Sequence, residues 1–325
     1  MRIRTLSLFL LLAVLAALLA SCAGQAAPSP VSPAEPVRLR MAIIPVLDAL
    51  PMFVAQKEGL FAAQGVAVEF IPVGSAPERD QVIAAGQADG MINETVSTLS
   101  FNKENVQVQI VRYARTAAAD QPLFRILASG KSGITDAAGL KGVEIGISQG
   151  TVIEYLTERL LQAEGFTPQD IRTIAAPKIS DRMALLGTGE LKAAMLPEPL
   201  ATVAVAQGGV VILDDSAHPN YSYSTLSFRK AVIDQHPAAV GAFLAAWEEA
   251  VRLINTSDPA KWNPLLAEQK IVPEALLANF KTPPFAAAGV PTQQQWDDAL
   301  AWAKEKGLIS ADLPYAETVN ASFLP

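Results

Sequence analysis

Three carboxylates stand at sites where strands are expected to end. They are Asp48 in Val46-Leu47-Asp48-Ala49-Leu50-Pro51, Glu94 in Asn93-Glu94-Thr95 and Glu198 in Leu196-Pro197-Glu198-Pro199. Facing a cleft, such groups would accept hydrogen bonds from a neutral or cationic solute rich in N–H or O–H donors. Facing an anion, they would add charge repulsion to the cost of desolvation. No spacing among the carboxylates singles out a catalytic pair. One cysteine, Cys22, and two histidines, His218 and His236, leave almost no material for a zinc cluster or a Cys-His nucleophile. Gly130-Lys131-Ser132 has the end of a phosphate-binding loop, but Arg125 stands where its upstream glycine is required. Gly187-Thr188-Gly189 lacks the third glycine of a dinucleotide fingerprint and reads as a turn. The sequence offers no reaction, and no cofactor or metal is expected.

It does offer polar turns that open helices. Ser75 precedes Ala76-Pro77, Asn93 and Thr95 flank Glu94, and Ser148-Gln149-Gly150-Thr151 leads into VIEYLTERLL. The free backbone N–H groups of a helix N-terminus suit polar ligand groups. Helix capping is an equal reading of each turn taken alone, with Ser75 a candidate N-cap. Together the turns favour a shared cleft. The candidate ligand-binding set is therefore Asp48, Ser75, Asn93, Glu94, Thr95, Gln149, Gly150, Thr151 and Glu198. Tyr113 and Tyr223 join it as aromatic faces on which a flat ring could stack.

The elements that must position these residues alternate between short β runs and helical patterns, which predicts an α/β fold with largely parallel sheets. Strands are expected at 38–45, 67–74, 90–93, 106–113 and 123–129, then at 143–148, 171–175, 193–196 and 210–214. Helical patterns cover 49–64, 76–86, 152–164 and 179–186. The first five strands are assigned to one sheet, with 129–142 crossing into a second, and 221–230 adds one more strand. Lobe I is thus expected to be discontinuous (38–128 plus 216–325), enclosing lobe II (129–215), and open α/β sheets bind ligands at the carboxyl ends of their strands.

The N-terminus has a different character. Arg2 and Arg4 precede an apolar run over 6–20 that is short for a bilayer span and matches a signal-peptide core. Leu19-Ala20-Ser21-Cys22 is similar to a bacterial lipobox, which implies signal removal after residue 21 and acylation of Cys22. Residues 22–37 are rich in Pro, Ala and Ser and predict a flexible spacer. The formal charge of −7, with no Lys/Arg cluster, argues against nucleic acid or an anionic membrane patch as partner.

Phe53–Ser75, Ala84–Asn93, Leu140–Thr151, Leu196–Ala204 and Gly307–Tyr315 together resemble, in order and spacing, the substrate-binding proteins of ABC importers. The branch is the one that binds alkanesulfonates, thiamine pyrimidine precursors and riboflavin. The resemblance implies a two-lobed periplasmic-binding-protein fold of type II and a monomer, not an enzyme. It also implies small-molecule capture outside the cell and delivery to a permease with its ATPase subunits. A lipid anchor would hold the protein at the outer face of the cell membrane, or within the periplasm of a two-membrane envelope. Three carboxylates in the cleft lead to riboflavin as the expected ligand. A hydroxymethylpyrimidine-type precursor, an alkanesulfonate or nitrate, and a pyrimidine-synthase-like enzyme are the alternatives.

Overall fold

β-Branched and aliphatic runs that are buried on both faces can only sit inside a covered sheet, and the molecule builds two of them. The computed structural model describes residues 35–325, so Cys22 and most of the expected spacer lie outside the described residues. Residues 37–325 form one unit. The first sheet has the order β2 (Val66–Pro72), β1 (Val37–Ile43), β3 (Gly90–Asn93), β10 (Tyr223–Arg229) and β4 (Val108–Thr116). The second has the order β7 (Arg172–Ala175), β6 (Glu144–Ile147), β8 (Ala193–Pro197), β5 (Phe124–Ala128) and β9 (Val210–Asp214).

The two sheets share one pattern. In each, four strands run one way and the fourth in spatial order runs against them: β10 in the first sheet, β5 in the second. Each reversed strand is the first to form after the chain crosses between lobes. All four residues of β3 are buried, and Gly90 within it is obligatory. A Cβ there would lie 2.6 Å from the Phe228 ring of the adjacent β10.

One strand departs from expectation. Phe124–Ala128, assigned from sequence to the first sheet, pairs with β8 and β9 in the second. The outward crossing is therefore residues 117–123, not 129–142, and the return crossing is 215–222. Asp215 ties the two together. Its carboxylate accepts the backbone N–H groups of Leu123 (2.9 Å) and Phe124 (3.0 Å) and the hydroxyl of Ser222.

Helices flank both sheets: α1 (Leu50–Lys57), α2 (Leu60–Ala63), α3 (Ala76–Ala84), α4 (Thr95–Asn102), α5 (Val152–Ala163), α6 (Ile179–Thr188), α7 (Leu200–Ala206), α8 (Lys230–Gln235), α9 (Pro237–Thr256), α10 (Asn263–Glu268), α11 (Glu274–Leu277), α12 (Gln293–Glu305) and α13 (Tyr315–Thr318). The single helix expected over 49–64 is interrupted at Gly59, whose φ of 69° is left-handed. A core built around α9 covers lobe I, with Phe243 and Trp247 fully buried. A second core is shared, since Val96 and Leu99 of α4 join Ile145, Leu156, Trp296 and Trp302 in one cluster. α12 seals it. Asp298 of α12 pairs with Arg159 of α5 (3.0 Å) and accepts the Tyr155 hydroxyl (2.5 Å), and Trp302 Nε1 donates to Glu158 (2.7 Å).

Candidate functional site

The carboxyl ends of strands from both sheets face one cavity of about 690 Å³ including its mouth. Lobe I supplies Ile44, Val46 and Asp48 after β1, Ala76 and Arg79 from α3, Ile92, Asn93 and Glu94 at the end of β3, and Ser224 of β10. Lobe II supplies Ser148, Val152 and Ile153 after β6, Pro177, Ile179 and Arg182 after β7, and Pro197 of β8. Leu123 and Phe124 come from the outward crossing and the start of β5.

Most of the polar lining is already bonded. Glu94 caps α4, accepting the Ser97 N–H at 2.7 Å through one oxygen and Arg79 Nη2 at 3.1 Å through the other. Arg79 also donates to Asp80 (2.7 Å) and to the Ile92 carbonyl (3.3 Å), so each of its nitrogens is engaged. Burial works against the Arg79 charge, but Asp80 and Glu94 beside it hold the guanidinium above its ordinary range. Burial pushes the Glu94 carboxyl up, against the pull of Arg79, and Asp80 adds to the rise. Asn93 is satisfied on both sides. Its amide donates to Thr98 (2.9 Å), and its carbonyl accepts the hydroxyls of Thr225 (2.9 Å) and Ser227 (2.6 Å). Asp48 pairs with Arg115 at 3.4 Å.

The remaining polar lining is only partly bonded. Arg182 is fully buried and donates through Nη1 to the Ala176 carbonyl at 2.7 Å. Its Nε and Nη2, and the hydroxyls of Ser148 and Ser224, have no partner among the described residues. No carboxylate pairs with Arg182 among the described residues, and burial pushes its guanidinium down to about 10, still charged at neutral pH. Buried donors without acceptors are costly, which makes this group a candidate for ligand contact.

Of the candidates read from sequence, Asp48, Asn93 and Glu94 line the cavity and the other eight do not. The Ser75 hydroxyl accepts the Glu78 N–H (3.3 Å) and Thr151 accepts that of Ile153 (3.2 Å), so both cap helices. Gln149 is exposed, and the Gly150 N–H is taken by Glu154 (2.7 Å). The Tyr113 hydroxyl donates to Gln295 (2.7 Å), while Thr95 and Tyr223 bond each other at 2.9 Å. Glu198 accepts from Thr202 and lies 2.5 Å from Arg125 Nε, an ion pair off the line of a hydrogen bond. The picture of free carboxylates is corrected here, because Asp48, Glu94 and Glu198 each have an arginine. The charged side chains lining the cavity are two acids, Asp48 and Glu94, and two arginines, Arg79 and Arg182.

Arg182, Ser224 and Arg79 were missed as site residues, and Ser148, though part of one of the polar turns, was left out of the candidate set. For Arg182 a signal existed. Ile179, Arg182 and Leu186 share one buried face of α6 at i, i+3 and i+7, and an arginine on an apolar face needs a reason.

The two matching sheets and the cleft at their strand ends define a two-lobed periplasmic-binding-protein fold. A family model described as the NMT1-like family matches residues 32–265, and the chain belongs to that family. No curated protein matches it. Among solved structures it is similar to the alkanesulfonate-binding protein SsuA from Xanthomonas axonopodis pv. citri bound to MOPS. That match has a TM-score of 0.73 and 17% identity over 89% of this chain and 100% of the other. The periplasmic nitrate-binding protein NrtA from Synechocystis PCC 6803 matches with a TM-score of 0.66 and 19% identity, over 87% and 83% of the two chains. The desulfurization enzyme DSZB also matches, with a TM-score of 0.66 and 14% identity over 88% and 97%. At these identities the likeness is one of fold.

Proposed function

We propose that this chain is the extracytoplasmic substrate-binding protein of an ABC-type import system. It captures a small molecule between its lobes and presents it to a membrane permease and ATPase. The carrying observation is the cavity itself, where strand ends of both sheets bring together unbonded donors from lobe I (Ser224) and lobe II (Ser148, Arg182). A ligand that satisfies both sets links the lobes. Family membership and the binding proteins among the structural neighbours support the same function.

Riboflavin loses the features that recommended it. The three carboxylates are occupied by arginines, and among the aromatic candidates neither Tyr113 nor Tyr223 lines the cavity. The unbonded groups are all able to donate, so the ligand we expect carries acceptors. Cys22, as an acylated N-terminus, would tether the protein to the membrane, and Cys22→Ser should release it and abolish lipid labelling.

The test is a thermal-shift screen of vitamins, pyrimidines, sulfonates, carboxylates and amino acids, with mass spectrometry of each mixture. One class should raise Tm and be recovered unchanged, because a ligand that binds only the folded state stabilises it. Conversion to a new product would instead make the chain an enzyme, as the DSZB neighbour is named.

A further inference from the structure

We infer that the group recognised in this cavity is a carboxylate on an apolar body, held by Arg182 together with Ser148 and Ser224. This deepens the solute-binding proposal and rests on it. The polar lining divides cleanly. Asp48, Arg79, Asn93 and Glu94 are bonded within the protein, whereas Arg182, Ser148 and Ser224 retain four polar atoms without partners among the described residues.

Arg182 is built in rather than collapsed onto the wall. Nη1 is anchored on the Ala176 carbonyl at 2.7 Å. Its stem passes close to Gly146 of β6, where a Cβ would lie 3.5 Å from Arg182 Cγ and 2.5 Å from Leu191 Cδ1. Anchored there, the guanidinium has its Nε/Nη2 edge, two parallel N–H bonds in one plane, without a partner among the described residues. That edge matches the two coplanar oxygens of a carboxylate. An ionised carboxylate has about four acceptor positions, and the two N–H groups and two hydroxyls supply four donors. A sulfonate brings a third oxygen, and the other polar groups of the lining are already engaged. A neutral amide would leave the Arg182 charge uncompensated. Beside the internally bonded Asp48, Arg79, Asn93 and Glu94, the wall carries the apolar side chains of Val46, Ile92, Leu123, Phe124 and Ile153, which suit a hydrocarbon body. The lowered proton affinity of the Arg182 guanidinium agrees with a buried cation still lacking its counter-charge.

The experiment is calorimetry on the purified protein with benzoate, hexanoate and 4-methylpentanoate, each beside its matched amide and sulfonate, and with riboflavin as a separate probe. A carboxylate should bind about 30-fold or more tighter than its amide, and Arg182→Leu should weaken it by a similar factor. Ser224→Ala should weaken it by about fivefold. Because Arg182→Leu removes an unpaired buried charge, it should fold, as circular dichroism and Tm would show, and Arg182→Met is the alternative variant. Preference for the sulfonate or the amide, or carboxylate affinity unchanged in Arg182→Leu, overturns the inference and leaves the solute-binding proposal standing. Riboflavin binding with no carboxylate response does the same. No binding of any probe, together with no Tm shift in the broad screen, overturns both.

Discussion

One cavity presents two arginines in opposite circumstances. Arg79, on the lobe I wall, is locked between Asp80 and Glu94. Arg182, on the lobe II wall, has one backbone carbonyl and, among the described residues, no acid. Both are buried, so the difference lies in their counter-charges. A buried cation with partners is structure, because removing it strands the partners. A buried cation without them weakens the protein, and a bound anion would supply the missing counter-charge. The contrast separates positioning groups from binding groups where distance to the cavity does not.

The sharpest way to break this contrast is to remove each arginine in turn. Arg79→Leu leaves Glu94 buried without its cation and should cost about 3–5 kcal/mol of unfolding free energy, read from urea midpoints. A loss below about 1 kcal/mol would show that the pair is not holding lobe I.

A third buried charge tests the middle case, an acid with hydrogen-bond donors but no cation among the described residues. Burial pushes the Asp215 carboxyl from 3.8 up to about 6, although Ser222 and the Leu123 and Phe124 N–H groups pull it down. Its folded value lies above its unfolded one, so the native state takes up the proton first. The resulting stability is fully present below about 3.8 and is lost as the pH rises through about 6. Relative to Asp215→Asn, the wild type should therefore lose on the order of 3 kcal/mol between pH 3.5 and 7.5. Thermal unfolding of both proteins across that window measures it, and a flat difference would mean that the hydrogen bonds cancel the burial.

Arg182→Leu should have the opposite sign to Arg79→Leu. Without ligand, the variant should be more stable by about 1 kcal/mol, since an uncompensated charge is replaced by a side chain that still fills the space. A destabilised variant would reveal a partner for Arg182 in solution and undo the comparison.

The smallest effect belongs to a cap. Ser75→Ala should cost about 1 kcal/mol through the lost bond to the Glu78 N–H, with ligand affinity unchanged. An affinity change would return Ser75 to the binding set.

These pairings explain what could be read from the chain alone. Strands were legible because aliphatic runs bounded by turns have few alternatives, and Gly90–Asn93 and Val210–Asp214 fall at the expected residues. Sheet membership was not, since it depends on partners far along the chain; Phe124–Ala128 reads the same in either sheet. The turns of the site were legible from their polar residues and their place after strands. Whether a hydroxyl caps a helix or faces a ligand depends on a rotation that composition does not encode, and Ser75 and Thr151 turned to their own helices. Glu94 was found at the cavity, but its charge was misjudged because Arg79 lies fifteen residues away on another element.

The reversed strands also dictate an order of assembly. Lobe II is drawn from a continuous segment, Phe124 to Asp214, and can close its sheet as soon as that segment is made. Lobe I must wait. Its β3 meets β10 across 132 residues, the separation of Asn93 from the Thr225 hydroxyl that it accepts. A loop of that span is slow to close, and non-local pairing of this kind slows folding. A chain made from its N-terminus therefore holds β1–β3 as an unfinished edge, with the Asn93 carbonyl lacking the hydroxyls of Thr225 and Ser227, until the inserted lobe has been made. The half that begins the fold is the half that finishes last.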